Sequence, residues 1–198
     1  MRIAIEINGV LRNTLEKIEQ TYQKYMIDKT EGLEDDESFK YEISPPVDSL
    51  NLRNHFKFQT DEELYSFLYE EFPMEIFGHS QSSEYSTFND LNDLYVNLRD
   101  NHELLIVSDE MGRSKPASLF FLSKFGCQLE KVKFYSNITI NSMWDEIDVL
   151  LTSNPTLLLE HPTDKKVIKY QTEYNKHIST DYSITSLKEL ESELTKLL

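Results

Sequence analysis

The sequence predicts an α/β domain: a parallel sheet with helices on both faces, interrupted early by a mainly helical insertion. Three observations lead there. The chain opens on a strand-like run, with Ile3, Ile5 and Ile7 alternating with Ala4 and Glu6. That run meets Asn8-Gly9 at once, where Gly permits a sharp turn. Through the second half, short apolar runs alternate with helical periodicities, the pattern of buried parallel strands joined by helical crossovers.

Taken in order, residues 14–26 place Leu15, Ile18, Tyr22, Tyr25 and Met26 at helical spacing, with Asn13 or Thr14 as cap. Residues 28–54 carry EGLEDDESF and SPPVDSL and read as an irregular excursion, the acidic run being a solvated loop. Residues 60–71 read as a helix with TDEE as its capping signal and Leu64, Phe67 and Leu68 on its apolar side; Pro73 ends it. The polar connector GHSQSSEYST leads to a helix over 88–100, with Leu91, Leu94, Tyr95 and Leu98 on one face. The apolar run 103–108 is a buried strand, and a helix over 115–125 ends at Gly126. Strands follow at 131–135, 147–152 and 166–170, with a short helix from Asn154-Pro155 through Leu159. An amphipathic helix over 187–198, capped by Thr185 or Ser186, closes the chain. In such sheets ligands bind at the carboxyl ends of the strands. Those ends are 6–9, 108–112, 136–137 and 152–154.

The composition excludes several functions. Twenty Lys and Arg stand against 35 Asp and Glu in 198 residues, a formal net charge of -15. Nucleic-acid binders neutralise phosphates with basic side chains, and anionic membranes also attract basic surfaces, so neither is an expected partner. Cys127 is the only cysteine, which leaves no internal disulfide and no cysteine-based zinc site. His55, His79, His102, His161 and His177 show no HxH or HxxxH spacing. The opening residues are too quickly polar for a secretory signal, and no run approaches the ~18 apolar residues of a membrane span. The expected location is the cytoplasm, or an assembly such as a virion made there.

Four strand ends carry a resemblance. AIEINGVLRNT is similar to the first motif of haloacid dehalogenase-like (HAD) phosphatases, an apolar strand followed by Asp-x-Asp-Gly-Val-Leu-x-x-Thr. LLIVSDE resembles the second motif, a strand ending in Ser or Thr, here Ser108. GRSKPASLFFLSKFG resembles the third, a helix carrying a basic residue, with Lys115 the better candidate and Lys124 the other. DVLLTSNPTLL resembles the fourth, Asp-x-x-Ile-Asp-Asp-x-Pro. VIKYQTEYN looks like the sheet-edge strand and tail of nucleotidase-like members. The resemblance implies a Rossmann-like three-layer core at 1–12 and 95–198, with a cap-like insertion at 13–94.

The departures bear on chemistry. By the resemblance, Glu6 stands at the nucleophile position and Asn8 at the general acid/base, and an amide can neither take nor give that proton at neutral pH. Thr152 and Ser153 stand where the family's acids hold Mg²⁺, which prefers hard oxygen ligands with carboxylates among them. The extra methylene of Glu6 displaces its carboxylate, and ~1 Å of misplacement can cost ~100-fold in rate. Ser108 can bind an oxyanion or serve as a cap. Asp109 and Glu110, together with Glu6, are the alternative cation ligands.

These residues lead to a non-catalytic HAD-like pseudoenzyme, without a cofactor, acting through protein contacts or as a structural assembly component; a phage particle is one concrete version. Tyr65, Phe67, Tyr69, Phe72, Phe77, Tyr85 and Phe88 supply aromatics suited to interfaces as well as to core. The alternative is a divergent Mg²⁺-dependent phosphohydrolase acting on a nucleotide or another phosphomonoester. A third reading is a non-catalytic sensor of a phosphate-bearing small molecule, using Ser108, Lys115 and the Asn8-Gly9 turn.

Overall fold

The computed structural model describes residues 1–30, 51–56 and 58–197. Among them, six strands form one sheet in the order β3-β2-β1-β4-β5-β6, and every pairing is parallel. The strands are β1 Arg2–Glu6, β2 Glu103–Ser108, β3 Val132–Phe134, β4 Val149–Thr152, β5 Lys166–Tyr170 and β6 Ser183–Ile184. β1 lies at the centre because its side chains are buried on both faces. Ile3 and Ile5 point into one apolar cluster with Leu91, Leu94, Ile106 and Leu190. Ala4 points into a second cluster with Leu105, Leu150, Met143 and Trp144. The alternation read from the sequence is thus the alternation of two covered faces.

The register sets the functional end of the sheet. Ile5 lies opposite Ile106 on one side and Leu151 on the other, and Glu6 pairs with Val107. Glu6, Ser108 and Thr152 therefore finish their strands close to one level. The strand order reverses across β1, the point at which open parallel sheets leave a crevice.

The helices are α1 Thr14–Thr30, α2 Leu52–His55, α3 Asp61–Ser66, α4 Thr87–Leu98, α5 Ser114–Lys124, α6 Ile140–Glu146, α7 Pro155–Leu159 and α8 Leu190–Thr195. Where one helix was expected over 60–71, α3 gives way to a π-helical turn at Phe67–Glu71, and a second π-helical turn follows at Met74–Gly78. Pro73 lies between them and lacks the N–H that would join them. The expected cap is there: the Thr60 hydroxyl accepts the Glu63 N–H at 3.1 Å. The closing helix begins as a 3₁₀ turn at Leu187–Glu189, with the Glu189 carboxylate accepting the Ser186 N–H at 3.1 Å. The two-residue strand β6 has too few positions to show a period. The acidic excursion falls mostly on residues 31–50, outside the described residues.

A third apolar cluster belongs to the insertion. Phe56, Phe58, Phe67, Leu68, Ile76 and Phe77 gather with Ile18 of α1, and Ala117 of α5 joins them from the core. Tyr22 meets the rings of Phe56, Phe58 and Phe67 at 5.1, 5.2 and 6.0 Å. α4 packs against the sheet through Phe88, Leu91 and Leu94. No helix among the described residues is long and apolar enough to cross a membrane.

Candidate functional site

The last residue of β1 is Glu6, and its side chain is buried. Its longer stem carries the carboxyl sideways between two neighbouring strand ends. Tyr135, just past β3, donates its hydroxyl to Oε1 at 2.9 Å, and the Thr152 hydroxyl at the end of β4 donates to Oε2. The Asn154 N–H holds Thr152 in place, donating to Oγ1 at 2.9 Å. Burial and the nearby charge of Asp109 push the Glu6 pKa up to about 8, against the hydrogen bonds from Thr152 and Tyr135. At neutral pH this carboxyl is mostly protonated, the weak form of a nucleophile. Burial also raises the Tyr135 phenol far above its ordinary value.

Two residues on, Asn8 joins a network centred on Arg12. The Arg12 side chain is 0% exposed and pairs with the carboxylate of Glu110, which is 1% exposed. Arg12 also donates to the Asn8 Oδ1 at 2.6 Å, the Ser118 hydroxyl at 2.5 Å, the Phe77 carbonyl at 2.8 Å and the Thr14 hydroxyl at 3.1 Å. Its guanidinium carbon lies 5.0 and 5.2 Å from the ring centres of Phe77 and Phe121. A buried guanidinium needs its donors satisfied and its charge matched, and here both conditions hold. Asn8 Oδ1 accepts a second bond, from the Thr14 hydroxyl at 2.7 Å. The Asn8 amide nitrogen donates to Asp109 at 3.0 Å and to Ser108 Oγ at 3.3 Å. The amide therefore has both ends engaged.

Gly9 makes this turn possible. Its φ is +74°, and a Cβ there would lie 2.2 Å from both the Ser153 and the Tyr174 hydroxyl oxygens. Those hydroxyls form a relay closing the β4 side: Tyr174 donates to Ser153 at 2.7 Å, and Ser153 donates to the Asn8 carbonyl at 3.0 Å. Above it lies a cavity of about 180 Å³ between sheet and insertion, floored by Glu6, Asn8, Asp109 and Ser153. Its walls are Leu15, Ile18, Leu52, Leu68 and Phe77.

The structure brings Glu6, Asn8, Ser108, Asp109, Thr152 and Ser153 to one crevice. Ser108 donates to Glu110 at 3.1 Å as well as accepting from Asn8, so it is a link in the buried network. Lys115 lies away from the crevice, exposed, with its ammonium 5.7 Å from the Phe134 ring centre. Lys124 reaches toward the Ser80 carbonyl at 3.5 Å and covers the Phe125 ring. Neither lines the cavity. Glu110 turns inward to Arg12 and Ser118 rather than toward Glu6.

Mg²⁺ does not fit this donor set. The oxygens of Glu6, Asn8 and Glu110 already accept the donors named above, and the Thr152 and Ser153 hydroxyls are committed to neighbours. Asp109 is the one exposed carboxylate at the crevice floor. Among the described residues, no group of three His, Cys, Asp or Glu is placed to hold a metal ion. Sequence reasoning missed Arg12, Tyr135 and Tyr174. Arg12 and Glu110 stand 98 positions apart, and no local pattern announces such a pair.

No family model matches the sequence, and no curated protein matches it. Solved structures do match in fold. A predicted phosphatase from Clostridium acetobutylicum superposes with a TM-score of 0.58 at 13% identity, covering 98% of each chain. A haloacid dehalogenase-like family hydrolase from Streptococcus pneumoniae gives 0.57 at 10% identity, covering 98% of this chain and 97% of that one. The proposed HAD-hydrolase YfnB from Bacillus subtilis, bound to magnesium, gives 0.55 at 14% identity, covering 98% of each. The parallel sheet order, the crevice at its carboxyl end and these full-length superpositions agree that the chain has the haloacid dehalogenase-like fold.

Proposed function

We propose that this chain uses the crevice of its fold for binding rather than for phosphoryl transfer, as an interaction or assembly component. One observation carries the reading: the carboxyl at the nucleophile position is enclosed by the Tyr135 and Thr152 hydroxyls, with its pKa raised to about 8. In-line attack on phosphorus needs a free, charged oxygen and cations on the phosphoryl group. Glu6 offers neither freedom nor charge at neutral pH, and the neighbouring Arg12 is neutralised by Glu110. Exposed Tyr65 and Tyr85 on the insertion and its connector supply anchors for a protein partner.

The second reading is a divergent Mg²⁺-dependent phosphohydrolase. The solved structures are named as hydrolases and phosphatases and fit this reading better than a non-catalytic one. The side chains of the crevice favour the first, and fold alone does not assign chemistry. The test is phosphate release from a panel of phosphomonoesters, with Mg²⁺ and with chelator, by the wild type and by Asp109→Asn. Binding without chemistry gives no release above the chelated control. Mg²⁺-dependent release that Asp109→Asn abolishes overturns the proposal in favour of the hydrolase.

A further inference from the structure

The cavity at the crevice is small and has two unlike surfaces. About 180 Å³ is enough for one aromatic ring, since an engineered apolar cavity of ~150 Å³ takes up benzene. Leu15, Ile18, Leu52, Leu68 and Phe77 present hydrocarbon to such a ring. The floor presents acceptors, with Asp109 its exposed carboxylate. No Lys or Arg is among the described residues that line it. A second cavity, of about 470 Å³, shares Gly9, Thr14, Leu15 and Tyr174 with the first. It carries the carboxylates of Glu16, Glu19, Glu84 and Glu173, the last paired with Lys176 at 2.7 Å, and no Lys or Arg is among its described lining. A phosphate in the first cavity would face the Asp109 carboxylate with no Lys or Arg among the described lining, whereas a cation would find its charge matched.

We infer that the crevice takes an organic cation, a protonated amine or amidinium on an apolar body the size of one ring. The body fills the cavity under the insertion and the charged head lies at Asp109. Such a site reverses the charge preference of a phosphate pocket while keeping its position in the fold. The inference rests on the binding reading above and adds the ligand's chemical class.

The experiment uses the full chain and three probes that share a ring: benzylamine, benzyl alcohol and benzyl phosphate. Calorimetry at neutral pH and low salt gives affinities for the wild type, for Asp109→Asn at the floor and for Ile18→Phe in the wall. The expected order is benzylamine over benzyl alcohol, with no detectable binding of benzyl phosphate. Asp109→Asn is expected to weaken benzylamine about tenfold, the scale of a lost charge-assisted hydrogen bond. Ile18→Phe, by occupying the cavity, is expected to weaken benzylamine and benzyl alcohol together. Benzyl phosphate binding as tightly as benzylamine overturns the inference. So does benzylamine binding that neither variant alters, which would be general attraction to an acidic protein. Absence of benzylamine binding, with no phosphate released from benzyl phosphate in Mg²⁺, overturns the inference and leaves the binding reading standing. Mg²⁺-dependent release of phosphate overturns the binding reading itself.

Discussion

Glu6 lies inside the protein with its carboxyl between two hydroxyls, and burial raises its pKa to about 8. In the unfolded chain the same group titrates near its ordinary value of 4.5. Between these two values the native state keeps a proton that the unfolded chain has released, so this group's contribution to stability falls as pH rises through that window. Glu6→Gln has no such proton. Thermal melts of the two proteins should show the wild type at least as stable at pH 5 and the variant more stable at pH 9; parallel curves would mean that Glu6 is not held neutral. Gly9 gives a second prediction at this scale. Gly9→Ala combines a φ of +74° with a Cβ 2.2 Å from two hydroxyl oxygens, and should cost about 1–3 kcal/mol in urea unfolding. Gly112→Ala, at φ +53° with nothing within 4 Å, is the control and should cost less.

At the scale of elements, the Arg12–Glu110 pair joins four parts of the chain: the turn after β1, the loop after β2, α5 through Ser118, and the insertion through the Phe77 carbonyl. Removing one member of a buried pair strands the other's charge, at a cost of about 3–5 kcal/mol. Arg12→Met and Glu110→Gln should each approach that loss in denaturant titrations. The double variant should lose less than the sum of the two, and an additive result would deny the coupling. The sequence made most elements on this scale legible, because β1, β2 and β4 are buried on both faces and so read as apolar runs. The site was legible as far as it follows from strand ends: Glu6, Ser108 and Thr152 come together because register demands it. Tyr135, Arg12 and Tyr174 were not, because their partners lie across the fold and their own neighbourhoods carry no period. The first π-helical turn escaped as well, since its apolar spacing before Pro73 matches that of an ordinary helix.

For the whole molecule, the net charge of -15 sets self-repulsion against a core that the structure otherwise closes well. Raising ionic strength from a few millimolar to 0.15 M shortens the screening length to about 8 Å and should raise the melting temperature; a fall would mean that exposed ion pairs such as Lys131–Glu103 outweigh the repulsion. The buried guanidinium also constrains anyone wishing to engineer phosphoryl transfer into this scaffold. Asn8→Asp would set a second carboxylate beside Arg12, already paired with Glu110, and would turn the amide nitrogen that donates to Asp109 at 3.0 Å into an oxygen facing that carboxylate. An acid at position 8 would thus be epistatic to positions 12 and 109, and a library that varies 6, 8 and 152 alone samples that acid only between a cation already paired and a second carboxylate.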